Sequence, residues 1–189
     1  MRLLLTSLST LLLLALAPAA QAETWSHTDT SGDVHVVEYG DPPLEYYEPA
    51  RKRGDITEVN AAFRAKRFLV EIDLRQGVKR DAILAMGLKG DTGRWHASLS
   101  YVGKHPHLQL DHWDQGWNNV FCPGLRAELL KGEDRGWISV PNNCLDKPRK
   151  LRFSLRVVTF TDDLNTNDEA LREGGKGYRE WYSPVLRRG

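Results

Sequence analysis

Asp55-Ile56-Thr57-Glu58-Val59-Asn60-Ala61-Ala62-Phe63 runs through Arg64-Ala65-Lys66 into Arg67-Phe68-Leu69-Val70-Glu71-Ile72-Asp73-Leu74-Arg75. In the first segment Val59, Ala61 and Phe63 share one face, while Glu58 and Asn60 take the other. In the second, Phe68, Val70, Ile72 and Leu74 point one way and Glu71 and Asp73 the opposite way. Side chains of an extended chain alternate between faces, so this period of two on both sides of a three-residue connection predicts an antiparallel hairpin with one buried and one wet face. Arg67 and Arg75 fall on the same face as Glu71 and Asp73 and are their expected ion-pair partners, each pair worth under about 1 kcal/mol when exposed.

Working outward, the same period recurs. Ala82 to Leu88 reads as a strand, and Lys89-Gly90-Asp91-Thr92-Gly93 as a turn. Trp95, Ala97, Leu99 and Tyr101 alternate with His96, Ser98 and Ser100. Leu125, Ala127 and Leu129 share a face, and a polar turn at 131–136 leads into Trp137-Ile138-Ser139-Val140. Leu151, Phe153, Leu155 and Val157 alternate with Arg152, Ser154 and Arg156 in the last strong strand. No long segment has a helical period, and residues 141–149, with Pro141 and Pro148, allow only a short helical turn. Asp41 to Pro49, rich in Pro and Tyr, and Thr161 to Gly177, acidic and then Gly-rich, read as loops. The tail from Tyr178 to Leu186 carries enough apolar residues to pack back on the domain, and there is no internal repeat. The expected fold is therefore all-β, a jelly-roll-like antiparallel β-sandwich with long loops.

Met1-Arg2, an apolar run and Ala20-Gln21-Ala22 have the layout of a secretory signal peptide, too short in its apolar core to span a bilayer. Residues 1–22 are thus read as a leader, 23–54 as an N-terminal strand and Pro/Tyr-rich loop joined to the domain, and 55–189 as the sandwich. Cleavage would leave a secreted or extracytoplasmic chain with no membrane insertion, expected to be a monomer. Lys and Arg number 26 and Asp and Glu 25; the leader holds one basic residue, Arg2, and no acidic one, so the mature chain has no formal net charge. That argues against a nucleic-acid or anionic-membrane partner, since either requires a surplus of cations to replace released counterions. Cys122 and Cys144 are the only cysteines, and in an oxidising compartment the expected product is one disulfide.

Several stretches carry a resemblance: Asp55-Ile56-Thr57-Glu58-Val59 with the strand at 67–74, Cys122-Pro123-Gly124-Leu125, Ile138-Ser139-Val140-Pro141-Asn142-Asn143-Cys144-Leu145 and Tyr182-Ser183-Pro184-Val185-Leu186-Arg187-Arg188. In that order they resemble a group of small, functionally uncharacterised exported bacterial β-sandwich proteins with one disulfide. That group's sandwich is similar to carbohydrate-binding modules and extracellular sensor-like domains. The resemblance implies the architecture and the cysteine pairing; it supplies no catalytic residue.

Candidate sites follow from local composition. Trp113-Asp114-Gln115-Gly116-Trp117-Asn118-Asn119 mixes indoles with carboxylate and amide groups, the combination that binds a sugar through its C–H faces and hydroxyls. Trp113, Trp117, Asp114 and Asn118 are accordingly the ligand-binding candidates; the competing reading has the tryptophans filling core or rim. In His105-Pro106-His107-Leu108-Gln109-Leu110-Asp111-His112, an extended chain puts His105, His107 and Asp111 on one face, two imidazoles and a carboxylate that zinc or copper accepts. A solvated edge with scattered histidines is the plainer reading. Asp163, Asn165 and Asn167 match the first three places of a calcium loop, but Asp168 replaces the turn glycine and Gly174 the final glutamate. No Gly-x-Ser-x-Gly, His-Glu-x-x-His or phosphate loop occurs. The favoured function is non-catalytic binding of a glycan or another cell-envelope partner. A metal-binding protein or metal-dependent enzyme using His105, His107 and Asp111 is one alternative, and a protein-interaction module the other.

Overall fold

A computed structural model describes residues 22–78, 81–102, 105–129, 133–172 and 181–189. Residues 1–21 of the leader expected at 1–22, and residues 173–180 of the expected loop and tail, lie outside them. Among the described residues, fourteen strands form two antiparallel sheets. The first holds β1 (Glu23–Thr28), β4 (Ile56–Phe63), β5 (Arg67–Leu74), β11 (Arg135–Pro141) and β10 (Arg126–Leu129), in the order β1-β4-β5-β11-β10. The second runs β3 (Leu44–Tyr47), β2 (His35–Glu38), β13 (Leu164–Glu169), β12 (Lys150–Phe160), β6 (Ala82–Gly90), β7 (Arg94–Ser100), β8 (His107–His112) and β9 (Asn118–Asn119); β14 (Leu186–Arg187) pairs with β12. This is the expected antiparallel β-sandwich. Among the described residues no helix is long and apolar enough to cross a membrane.

The hairpin that decides the fold forms in the register its alternation requires, with Ala61 opposite Val70 and Phe63 opposite Phe68. Val59, Ala61, Phe63, Phe68, Val70, Ile72 and Leu74 are all buried and meet Leu84, Met86, Leu88, Phe153, Leu155 and Val157 of the other sheet in one continuous core. Phe68 joins the layers, standing edge-on to Phe63 at 5.7 Å and tilted against Phe153 at 5.5 Å. The tail packs back as expected: Phe153 donates its N–H to Ser183 Oγ, Ser183 donates to Phe153 O, and Leu186 is buried.

Three expectations are corrected. The Pro/Tyr-rich stretch at 41–49 contains strand β3, paired along its length with β2. The acidic stretch at 161–177 contains strand β13, laid between β12 and β2. Its inward residues are Thr166 and Asp168, both 1% exposed, so no apolar alternation advertises it; Thr166 instead shares a 2.6 Å hydroxyl bond with Thr159. The third concerns charge. Asp73 pairs with Arg135, the residue opposite it on β11, while Arg75 turns to the fully buried Asp55 and Arg67 donates to the Gly124 carbonyl. Neighbours across a sheet lie closer than same-face residues two apart along a strand, so register decides the partner.

Cys122 and Cys144 are bonded, tying the 120–125 connection to the 3-10 turn Asn142–Leu145. The turn matters to the deciding hairpin as well: Asn142 donates its side-chain amide to the carbonyls of Arg64 and Ala65 and its backbone N–H to that of Lys66. Closing a loop across 22 residues restricts the unfolded chain by about 3 kcal/mol in the entropy model. The Cys122→Ser/Cys144→Ser double variant is expected to lose roughly that amount in denaturant unfolding. An unchanged midpoint would show that the bond constrains nothing the sandwich does not already hold.

Candidate functional site

Two places in the sandwich concentrate polar and aromatic chemistry. The first is built by a single tight connection. After β8 the chain makes one 3-10 turn, Trp113–Gln115, closed by Gly116 at φ 77°. Trp117 follows at φ 61°, a left-handed conformation that a bulky side chain adopts only at a cost. The conformation brings the Trp113 and Trp117 rings together with centroids 4.4 Å apart and planes tilted by 34°. Trp117 is 51% exposed, and Phe121, just beyond β9, is 91% exposed. His96 on β7 meets the Trp117 ring edge-on at 5.6 Å, and the Arg94 guanidinium sits over Trp113 at 5.6 Å.

Asp114 and Asn118, read from sequence as ligand groups, hold this turn in shape. Asp114 takes the Arg94 guanidinium at 2.5 Å and the Arg94 backbone N–H at 2.9 Å, and the Arg94 side chain keeps its carboxyl below the usual range. Asn118 donates its amide to Gln115 O at 2.6 Å. The two tryptophans therefore converge, and the two polar residues orient them.

The histidine cluster is arranged differently. His105 and His107 are exposed, whereas Asp111 on β8 is buried, with Gln109 donating to Oδ2 at 3.0 Å and Asn119 to Oδ1 at 3.4 Å. Among the described residues, His105, His107 and Asp111 do not bring their ligand atoms within 4.8 Å of one another. His112, the next residue along β8, is buried and packs edge-on against the buried Trp95 at 5.1 Å. The calcium-loop pattern at 163–167 falls on β13, where Asn165 and Asn167 pair across to β12 and β2 and cannot wrap an ion as a loop does.

The second place joins residues that no local motif links. Asp29 follows β1, Asp33 lies in the connection to β2, and Asp168 sits near the end of β13; each offers a carboxylate oxygen, and the three oxygens lie within 4.8 Å of one another. Asp55, just ahead of β4, borders them and accepts the Gly32 N–H at 3.0 Å as well as Arg75. Gly32 is at φ 86° with the Pro49 backbone 3.1 Å from where a Cβ would stand, so the tight turn that presents Asp33 requires glycine. Asp168 Oδ2 accepts the Ile56 N–H. Asp29 Oδ2, Asp33 Oδ1 and Asp168 Oδ1 are buried with no hydrogen-bond partner. Asp29-Thr30-Ser31-Gly32-Asp33 is legible as a polar turn, but nothing in it points 135 residues ahead to Asp168.

Burial drives the protonation of this cluster. It pushes the Asp29 carboxyl up to about 7, with the Asp33 charge adding to the shift, and raises Asp33 and Asp168 as well. The chain belongs to the class of disulfide-bonded antiparallel β-sandwiches, with a tryptophan pair, half-buried Trp113 and exposed Trp117, on one connection and a carboxylate cluster where β1, β2, β4 and β13 meet. It matches no family model, no curated protein and no solved structure.

A carboxyl that titrates higher folded than unfolded makes the folded protein hold more protons, so stability falls as pH rises between the two values. For Asp29 the window runs from 3.8, the unfolded value, to about 7. Protein kept in chelator is therefore expected to melt at a higher temperature at pH 5 than at pH 7.5, and Asp29→Asn to flatten that slope. A wild-type melting temperature that climbs steadily from pH 4 to pH 7 would contradict the assignment.

Proposed function

We propose that this is an exported, non-catalytic binding protein acting outside the cytoplasm, and that its ligand is a glycan held on the Trp113–Trp117 pair. The observation that carries the reading is the pair itself. A tryptophan is kept in a left-handed backbone conformation, against its own preference, with half of its surface in water. Such a local conflict is expected where a surface serves a ligand and the surrounding structure holds it in place. An exposed indole offers a flat apolar face to the C–H face of a sugar ring, and the neighbouring Arg94 and His96 provide polar edges for its hydroxyls.

Two further observations support export: the leader-like residues 1–22 and the Cys122–Cys144 bond, which persists in an oxidising compartment. The non-catalytic part of the reading rests on residue chemistry. Asp114, the carboxylate on the tryptophan turn itself, is committed to Arg94, and Asp111 on β8 is held by Gln109 and Asn119, which favours a structural use of both over the paired acid and base of glycoside hydrolysis.

Screening the oxidised protein against a broad glycan array, followed by titration of tryptophan fluorescence with the best polysaccharide, tests this directly. Trp117→Ala is expected to weaken binding at least tenfold, the equivalent of about 1.4 kcal/mol, while near-ultraviolet dichroism from the buried Trp95 stays unchanged. If the folded wild type binds nothing on the array, the glycan reading fails.

A further inference from the structure

The carboxylates at the junction of β1, β2 and β13 have no role in the tryptophan platform, and their arrangement is costly without a counter-charge. We propose that Asp29, Asp33 and Asp168 form a divalent-cation site, oxygen-only in its donors and suited to Ca2+, which fastens the N-terminal segment to β13.

Four observations converge on it. The three ligand oxygens lie within 4.8 Å of one another, the separation available to oxygens around one ion when each Ca–O bond is roughly 2.3–2.6 Å. Asp168 is 1% exposed and contributes to that trio, yet its Oδ1 has no hydrogen-bond partner, a state that costs free energy unless an ion satisfies it. Asp29, 6% exposed, likewise has a buried oxygen, Oδ2, without a partner. The third is half-buried Asp33, whose Oδ1 is also without one.

Charge gives the fourth. With Asp55 alongside, four carboxylates gather here; among the described residues Arg75 bonds Asp55, and Arg172 acts on Asp33 while lying over the Tyr47 ring. With the carboxylates ionised, as ion ligands must be, four negative and two positive groups leave a deficit that one divalent cation balances. The donor set is oxygen throughout, which selects a hard ion over zinc or copper. Mg2+ retains several waters and resists dedicated protein cages, so a largely buried site of three carboxylates favours Ca2+. Asn167 and Glu169 also carry buried partnerless oxygens, but they alternate to the opposite face of β13 from Asp168 and stand outside the trio.

The position gives the ion structural leverage. Asp29 extends from β1 in one sheet and Asp33 leads into β2 in the other; Asp168 lies on β13 and, through the Ile56 N–H, holds the start of β4. A single cation would thus join both sheets at the end where the sequence offers polar residues in place of core.

The test is thermal unfolding and calorimetric titration of the oxidised, chelator-treated protein at pH 7.5 with CaCl2 and, separately, MgCl2. Calcium at a hundredfold excess over its Kd is expected to raise the melting temperature by roughly 5–10 °C, with a smaller rise for magnesium. Asp33→Asn, at the least buried of the three positions, should remove most of that rise while the variant remains folded; Asp168→Asn should remove it and leave the calcium-free protein as stable as wild type or more so. Trp117→Ala should keep the full response, which separates this site from the platform. A folded wild type with no calcium heat and no shift overturns the proposal. So does an Asp33→Asn variant that responds as wild type does.

Discussion

Phe63, Phe68 and Phe153 meet at the centre of the molecule, and the rest of the architecture is arranged around that contact. Phe68 is edge-on to Phe63 across the hairpin and tilted against Phe153 of the facing sheet, so one ring takes part both in the strand pair and in the packing of the layers. Fully buried aromatic side chains of this size dominate core energetics, and the register that brings them together also sets every other residue of β4 and β5 inward or outward. Trp25 of β1 extends the cluster, edge-on to Phe153 at 5.6 Å. The turn beyond Phe63 is held from outside by Asn142, whose own turn is tied down by the disulfide.

Away from that centre the interior changes character. Along β13 the residues directed inward are a threonine and an aspartate, and the facing groups are another threonine hydroxyl and a backbone amide. This end of the sandwich is held by polar and ionic contacts, which are directional and exacting: satisfied, they fix one arrangement, and unsatisfied, they destabilise it. The opposite end is finished by the short aromatic connection at 113–123. One domain thus holds a polar, largely closed region and an aromatic, open one, supported by the same apolar centre.

What the sequence revealed follows the same division. β4, β5, β6, β7 and β12 were legible because each has an apolar inward face, and a period of two is visible wherever burial is apolar. β13 was hidden because Thr166 and Asp168 take the inward positions; β3 was hidden because Pro42, Pro43 and Pro49 surround four residues that read as turn chemistry. The tryptophan pair could be anticipated because both rings come from one five-residue stretch around a glycine. The carboxylate trio could not, since its members come from residues 29, 33 and 168 and only the sheet pairing brings them together. The ion pairs of β5 were misassigned for a related reason: partners lie across the sheet, and a single strand does not disclose its neighbours.

The order of the second sheet places β3 at its margin, and that has a bearing on how the protein behaves when crowded with copies of itself. A marginal strand can recruit a strand from another chain through its backbone amides and carbonyls. Here the margin is four residues long, Glu45 lies within it, and prolines at 42, 43 and 49 bracket it, each lacking the N–H an incoming strand would need. The stretch that looks least like a strand in the sequence thereby ends one edge of the sheet in a form that resists growth into aggregates.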